Sequence, residues 1–231
     1  MKILHYFADY GTESETLSDY GTVTRATIDP KENGVSEPIV VDCSDPDTLP
    51  FRDNEFDLGL GHPVCSKWAT MTNNNGTHDE HPDYIEEARA IGERYCSDYI
   101  LENVPGAPLN DPVVLNGKSF GLPIVYERAF ETSFPVNQPP RQQPLDTETS
   151  SYYYPELPPK WWASIKGVPS GKYPKEHVAK NATPVAYLQF ILRQYFKSAD
   201  SEERSDYDDY DSRMKARKRK DLNSSLSSFE S

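Results

Sequence analysis

The chain has 231 residues, with 37 Asp and Glu against 24 Lys and Arg and a formal charge of −13. That length suits one α/β domain with a full core, and no stretch approaches the ~20 apolar residues of a membrane span, which excludes a spanning protein. The acidity, with a mean hydropathy of −0.75, excludes an ordinary nucleic-acid binder in dilute salt, because an acidic surface repels phosphate. It leaves an acidic protein whose partner is not nucleic acid, or a halophile's protein in molar salt, where a Debye length of about 3 Å screens the repulsion.

Lys2 to Phe7 reads as a short buried strand, followed by a polar turn through Ala8 to Thr12 and a helix from Glu13 to Tyr20. Val23 to Ile28, rich in β-branched residues, predicts a second strand ending on Asp29-Pro30. Pro38 to Val41 predicts a third, ending on Asp42, and Phe56 to Leu60 a fourth, ending at Gly61-His62-Pro63. From His81 to Tyr95 apolar and aromatic positions recur at helical spacing, with Pro82 near the start where proline is tolerated. Tyr99 to Leu101 is then a strand stopping at Glu102-Asn103-Val104-Pro105-Gly106. Such alternation predicts a Rossmann-like α/β fold, a mostly parallel sheet with helices on both faces.

Later segments change character. Residues 137–176, including the Pro-, Gln- and Tyr-rich run from Gln138 to Lys160, are expected to be irregular. Pro184 to Phe196 returns to a helix with Val185, Leu188, Ile191, Leu192 and Tyr195 on one face. The folded domain is thus expected over residues 1–197. Residues 198–231, with an acidic block at Asp208-Asp209 and a basic one from Arg213 to Lys220, are expected to form a disordered charged tail.

Chemistry-bearing residues fall at the strand ends, where open α/β sheets bind ligands. Asp29 fits either a carboxylate accepting from ribose hydroxyls or a turn residue before Pro30. Asp42 fits either an acceptor for an adenine amino group or a turn cap. Cys43, Cys65 and Cys96 are odd in number and lack C-x-x-C spacing, so a disulfide framework and a metal site are not expected and a cytoplasmic setting is. Cys65 lies in a polar, proline-containing loop. It is either an inert thiol or a reactive one, its pKa lowered by Lys67 or a helix N-terminus. Glu102 offers a carboxylate at the neighbouring strand end.

His62-Pro63-Val64-Cys65-Ser66 resembles the Pro-Cys nucleophile motif of the DNA cytosine-5 methyltransferases, and Glu102-Asn103-Val104 resembles their Glu-Asn-Val motif. Tyr126 to Thr132 is similar to their Gln-x-Arg-x-Arg strand, in the Arg-x-Arg-x-Phe-Glu form of compact phage-encoded enzymes. Lys180-Asn181-Ala182-Thr183-Pro184 resembles their Gly-Asn-Ala-Val-Pro motif. The order agrees, and coverage runs to about Phe196. The resemblance implies a Rossmann-like methyltransferase fold and a monomer that transfers a methyl group from S-adenosylmethionine to double-stranded DNA, protecting viral or host DNA from restriction. It implies Cys65 as nucleophile, Glu102 at the ring nitrogen N3 and Arg128 on the base's carbonyl oxygen. Phe7, Gly11, Asp29, Asp42, Pro63 and Asn181 are implied as cofactor-binding, and 137–176 as a reduced target-recognition region.

The chain departs from the pattern at several positions. Its cofactor loop keeps Phe7 and Gly11 but has Asp9 and Thr12 where glycines are usual. Val64, Ser66, Tyr126 and Lys180 replace the usual Pro, Gln, Arg and Gly. Two further readings therefore stand beside the first: a catalytically silent binding module, and methylation of RNA or a free nucleotide. Lys67 to His81, with Asn73-Asn74-Asn75-Gly76, is the expected closing loop. Tyr152 to Tyr154 and Trp161-Trp162 are either base-stacking residues or cover for the sheet.

Overall fold

A computed structural model describes residues 1–8, 10–69, 78–139 and 157–199. Within them the strands are β1 (Lys2–Tyr6), β2 (Thr22–Thr27), β3 (Glu37–Val40), β4 (Phe56–Gly61), β5 (Cys96–Asn103), β6 (Val113–Leu115) and β7 (Arg128–Thr132). The helices are α1 (Ser14–Leu17), α2 (Ile85–Tyr95), α3 (Pro159–Lys166), α4 (Lys175–Lys180) and α5 (Val185–Ala199). The strands form one sheet in the order β3-β2-β1-β4-β5-β7-β6. Pairing is parallel from β3 to β5, while β7 runs antiparallel to both β5 and β6.

The pleat sends alternate residues to opposite faces, and the sequence is apolar on both. Ile3, Val23, Leu58, Leu60, Ile100 and Phe130 pack with Leu17, Trp162, Tyr187, Leu188 and Ile191 from α1, α3 and α5. Leu4, Tyr6, Ala26 and Leu101 pack on the other side with Ile85, Ala88, Ile91 and Tyr95 of α2. Helices therefore cover both faces, as expected for a Rossmann-like sheet, and no helix among the described residues is long and apolar enough to cross a membrane.

Several expectations change: helix α1 spans Ser14–Leu17 where Glu13 to Tyr20 was expected, and α5 runs on to Ala199, past the expected end of the domain at 197. Helix α2 starts at Ile85 rather than His81, because the Asp83 carboxylate takes the Ile85 N–H at 3.3 Å and starts the helix there. Strand β5 is longer than Tyr99–Leu101, since β7 pairs with it as far as Asn103. The span 137–176 holds all of α3 and the start of α4. Trp162, Ala163 and Lys166 of α3 are buried on one face, and Gly167, at φ +76°, closes the helix by donating to Ser164. Trp162 is 2 % exposed, so it covers the sheet. Tyr152 to Tyr154, the loop around Asn73 to Gly76, Asp9 and the tail from Asp200 lie outside the described residues.

Strand β4 reads Phe-Asp-Leu-Gly-Leu-Gly for a packing reason. A Cβ at Gly61 would sit 2.6 Å from Cε2 of Tyr6 and 2.8 Å from Leu101, and one at Gly59 would sit 2.6 Å from the Cys96 sulfur. The Tyr6 ring fills the space the missing side chains leave. Gly61→Ala is expected to destabilise the protein by about 1–3 kcal/mol through overpacking, measured by urea unfolding at constant salt. A loss below about 0.5 kcal/mol, the scale of surface substitutions, would refute the close fit.

Candidate active site

Two-residue periodicity builds the site. On the α5-facing side of the sheet, the apolar residues near the carboxyl ends of the parallel strands are each followed two positions later by a polar one. Val23 leads to Arg25, Ile3 to His5, Leu60 to His62 and Ile100 to Glu102. Arg25 is paired with His5 in the β1–β2 register, and His62 and Glu102 are the next step beyond Gly61 and Leu101. Strand β7 runs the other way, so Arg128 precedes Phe130, which is paired with Glu102. A polar row thus crosses the sheet at its ligand-binding edge.

Burial forces that row into alternating charge. Glu102, 1 % exposed, lies between two cations: Arg128 Nε is 2.8 Å from its Oε1, and His62 Nε2 is 2.9 Å from its Oε2. Glu13, at the start of α1, stands 3.9 Å from His62 Nδ1 and 3.8 Å from His5 Nε2. Burial alone would raise the Glu13 carboxyl, but His62, His5 and the Thr183 N–H hold it down to about 2. Burial works against charge on His62 as well, yet Glu102 and Glu13 outweigh it and raise the imidazole to about 9. His5 is lowered by burial to about 4, against the pull of Glu13. At neutral pH the array therefore sets a negative Glu13 beside a positive His62, and the Glu102 carboxyl lies between that imidazole and the Arg128 guanidinium.

The turn after α4 closes this array from outside the sheet. Lys180 O accepts from Tyr126 Oη at 2.7 Å and Arg128 Nη2 at 3.0 Å, and Ala182 O accepts from the fully buried Lys166 at 2.7 Å. The Thr183 N–H donates to Glu13 Oε1 at 2.9 Å. Tyr126, at φ +35°, places its ring against Arg128 and Lys166, and its hydroxyl accepts from Arg128 Nη2 at 2.5 Å. Asn103 ties the cysteine loop to β5 by donating from Nδ2 to Pro63 O at 3.1 Å.

A cleft of about 420 Å³ opens over the row, lined at one end by Phe7, Thr27, Ile28, Asp42, Ser44 and Tyr84 and at the other by Glu13, His62, Pro63, Cys65, His177 and Asn181. Of the predicted site residues, Phe7, Asp42, Pro63, Cys65 and Asn181 share this cleft. Glu102 and Arg128 lie behind His62, and the Arg128 donors are occupied by Glu102, Tyr126 and main-chain carbonyls. Asp29 does not line the cleft; it is 72 % exposed and paired with Lys31. Gly11 does not line it either. Its left-handed backbone, at φ +61°, lets the Arg25 side chain pass, where a Cβ would meet Cδ at 2.5 Å.

Lys67 pairs with Asp83 at 3.6 Å and lies over Trp68, so the cation acting on Cys65 is Arg128 instead. Burial pushes the Cys65 thiol up, Arg128 opposes that, and Glu102 adds to the rise. His62, Glu13 and Lys166 were not singled out as site residues in the sequence. A histidine two residues beyond Leu60, on the inward face, is the signal that could have found the first.

No family model matches the sequence, and no curated protein matches it either. Among solved structures, the Entamoeba histolytica methyltransferase EhMeth superposes with a TM-score of 0.56 at 9 % identity, over 86 % of this chain and 98 % of that one. An Escherichia coli prophage protein described as a DNA modification methyltransferase gives 0.40 at 18 %, over 56 % and 45 % of the two chains. The S. pombe Dnmt2 methyltransferase gives 0.39 at 14 %, over 57 % and 50 %. The first likeness establishes a Rossmann-like methyltransferase fold.

The raised thiol has a direct consequence. At neutral pH Cys65 is expected to react with iodoacetamide more slowly than free cysteine, and to speed up as pH rises past the ordinary thiol range. Cys43 and Cys96, pushed up by burial to about 11 and about 12, should be slower still. Peptide mass spectrometry reads the three rates, and a Cys65 faster than free cysteine at pH 7 would contradict the geometry.

Proposed function

We propose that this chain is an S-adenosylmethionine-dependent methyltransferase acting on C5 of cytosine in double-stranded DNA, with Cys65 as nucleophile. One observation carries the reading: a thiol in the mouth of a cleft backed by the buried Glu102–Arg128 pair, with an apolar wall and a carboxylate at the far end.

The far end fits an adenosine. Among the described residues Ile28 is 68 % exposed, unusual for a large apolar side chain, and it lines this end of the cleft. Phe7, held at φ +56°, stacks on Tyr84 with centroids 5.7 Å apart. Asp42 accepts from the Ser44 N–H at 2.9 Å, which with the Ser44 hydroxyl keeps the carboxyl below its ordinary value. Ile28 and Phe7 would flank the purine, and Asp42 would accept from its amino group. Thr27 and Ser44 take the place expected for Asp29 beside the ribose. The bound cofactor supplies an electrophilic methyl group on a sulfonium.

Chemistry on the protein side falls to three groups. The Cys65 thiol sheds its proton to water and its sulfur adds to C6 of an extruded cytosine, which makes C5 electron-rich. Glu102 meets the developing charge at N3. Arg128 holds the Glu102 carboxylate in place, a role its spent donors favour over contact with the base. Asn103 fixes the Pro63 carbonyl and with it the approach of the thiol.

Labelled methyl groups are expected to pass from S-adenosylmethionine to DNA in molar KCl, with Cys65→Ala abolishing transfer. No transfer across salt conditions and DNA sequences, with cofactor binding demonstrated, would defeat the reading. Asp42→Asn is expected to weaken S-adenosylhomocysteine binding by roughly tenfold or more, the worth of a charged hydrogen bond, while Asp29→Asn leaves it unchanged. Titration calorimetry distinguishes the two, and equal losses would place the cofactor elsewhere.

A further inference from the structure

Glu102 has a supply problem if the cytosine reading holds. N3 needs a proton as the Cys65 sulfur bonds to C6, yet Glu102 is 1 % exposed in the unbound protein, so the entering base has to uncover it and it does not exchange with solvent before that. Its Oε1 faces the Arg128 guanidinium at 2.8 Å, a group that does not release protons. Its Oε2 faces His62 Nε2 at 2.9 Å. His62 in turn lines the cleft and keeps 17 % of its side chain exposed, so it can exchange protons with solvent where Glu102 cannot.

We propose that His62 supplies Glu102 with the proton that N3 receives. This deepens the methyltransferase reading and rests on it. As the sulfur–C6 bond forms, the C5=C6 electron pair moves through C4 onto N3. N3 takes a proton from Glu102 Oε2, and Oε2 takes one from His62 Nε2, leaving Glu102 ionised and His62 neutral. On elimination of the sulfur the N3 proton returns along the same path, and the C5 proton leaves to water. No oxidant or further reactant is required. His62 acts through Glu102 and is a positioning residue rather than one that meets the base.

The surroundings support this assignment from every side. Glu102 faces His62 from β5, Glu13 from the start of α1, His5 from β1, and Arg128 from β7 beyond Glu102; Cys65 shares the cleft with it, and Lys166 of α3 acts on the same carboxylates. Glu13 does not compete for the proton, because His62, His5 and the Thr183 amide together hold its carboxyl down to about 2 against burial, and it accepts from the Thr12 hydroxyl. With the imidazole raised to about 9, the proton is in place at neutral pH.

Exchange of the C5 hydrogen of cytosine for deuterium, in duplex DNA without cofactor, reports addition at C6 independently of methyl transfer. His62→Ala is expected to slow this exchange about a hundredfold at pH 7, within the range of proton-transfer contributions. Added imidazole is expected to restore it; thiazole, of the same shape but unprotonated at pH 7, is not. Exchange in His62→Ala at the wild-type rate, no rescue by imidazole, or rescue by thiazole to the same extent would overturn the proposal. Glu13→Gln, which keeps the shape and an acceptor for the Thr183 N–H but removes the charge, should lower the His62 titration midpoint seen by NMR and with it the exchange rate at mildly alkaline pH. A lowered midpoint with unchanged exchange would also overturn it. Absence of exchange in the wild-type protein with duplex bound would fell the methyltransferase reading as well, whereas the His62 outcomes bear on the proton supply alone.

Discussion

The site depends on one electrostatic constraint: four ionisable groups share a space too dry to hold any of them singly. Removing one partner from a buried pair strands a charge at a cost of about 3–5 kcal/mol. Glu13, His62, Glu102 and Arg128 avoid this by alternating in sign along the carboxyl edge of the sheet. Their elements are far apart in sequence, so the array forms only when β1, β4, β5 and β7 are correctly registered. The Lys180–Thr183 turn then seals it with backbone groups, taking up donors from Tyr126, Arg128 and Lys166 and giving one to Glu13.

That constraint explains why the cleft has two different ends. Where the row is paired internally, the exposed chemistry is reduced to what the row presents outward, namely His62 and the nearby Cys65 thiol. Beyond the row the strand ends expose Ile28 and Asp42, an apolar surface beside a carboxylate. A ligand spanning both ends would bring an aromatic, hydrogen-bonding part to the first wall and a reactive part to the second. The strained backbone at Phe7 and Tyr126 flanks these two ends, where sparsely populated conformations are often stored at functional sites.

Much of this was legible in the sequence, and the reasons for the rest are specific. β-branched and apolar runs marked β1 to β5, and the 3.6-residue period marked α5, because each buries a regular face. The ends of β5 were not legible, since Glu102 and Asn103 are strand residues only by pairing with β7, some thirty positions later. Helix α3 was hidden by the proline-rich run before it and by a Trp-Trp pair that suits either a stacking surface or a core. Cys65, Glu102 and Arg128 were found as motif residues, but their depth was not. Sequence spacing says which residues share an edge, and only the pleat says that His62 stands in front of Glu102. Asp29 shows what strand-end position leaves open: a carboxylate one residue past the last position lining the cleft is turned to solvent and pairs with Lys31.

The charge balance bears on how such a site would engage a duplex. Arg128 and Lys166 are committed inside the protein, so they add nothing to a phosphate-binding surface, and the chain as a whole is acidic by 13 charges. In dilute salt that surface repels DNA. In molar salt the repulsion is screened within about 3 Å, but the gain from releasing counterions at phosphate contacts vanishes with it. Recognition under those conditions has to rest on contacts that salt does not weaken, which are apolar burial and hydrogen bonds to a base removed from its stack. The cleft at the Cys65 thiol, backed by the buried Glu102–Arg128 pair, is where such contacts would form, and the alternating charges behind it hold together without a base.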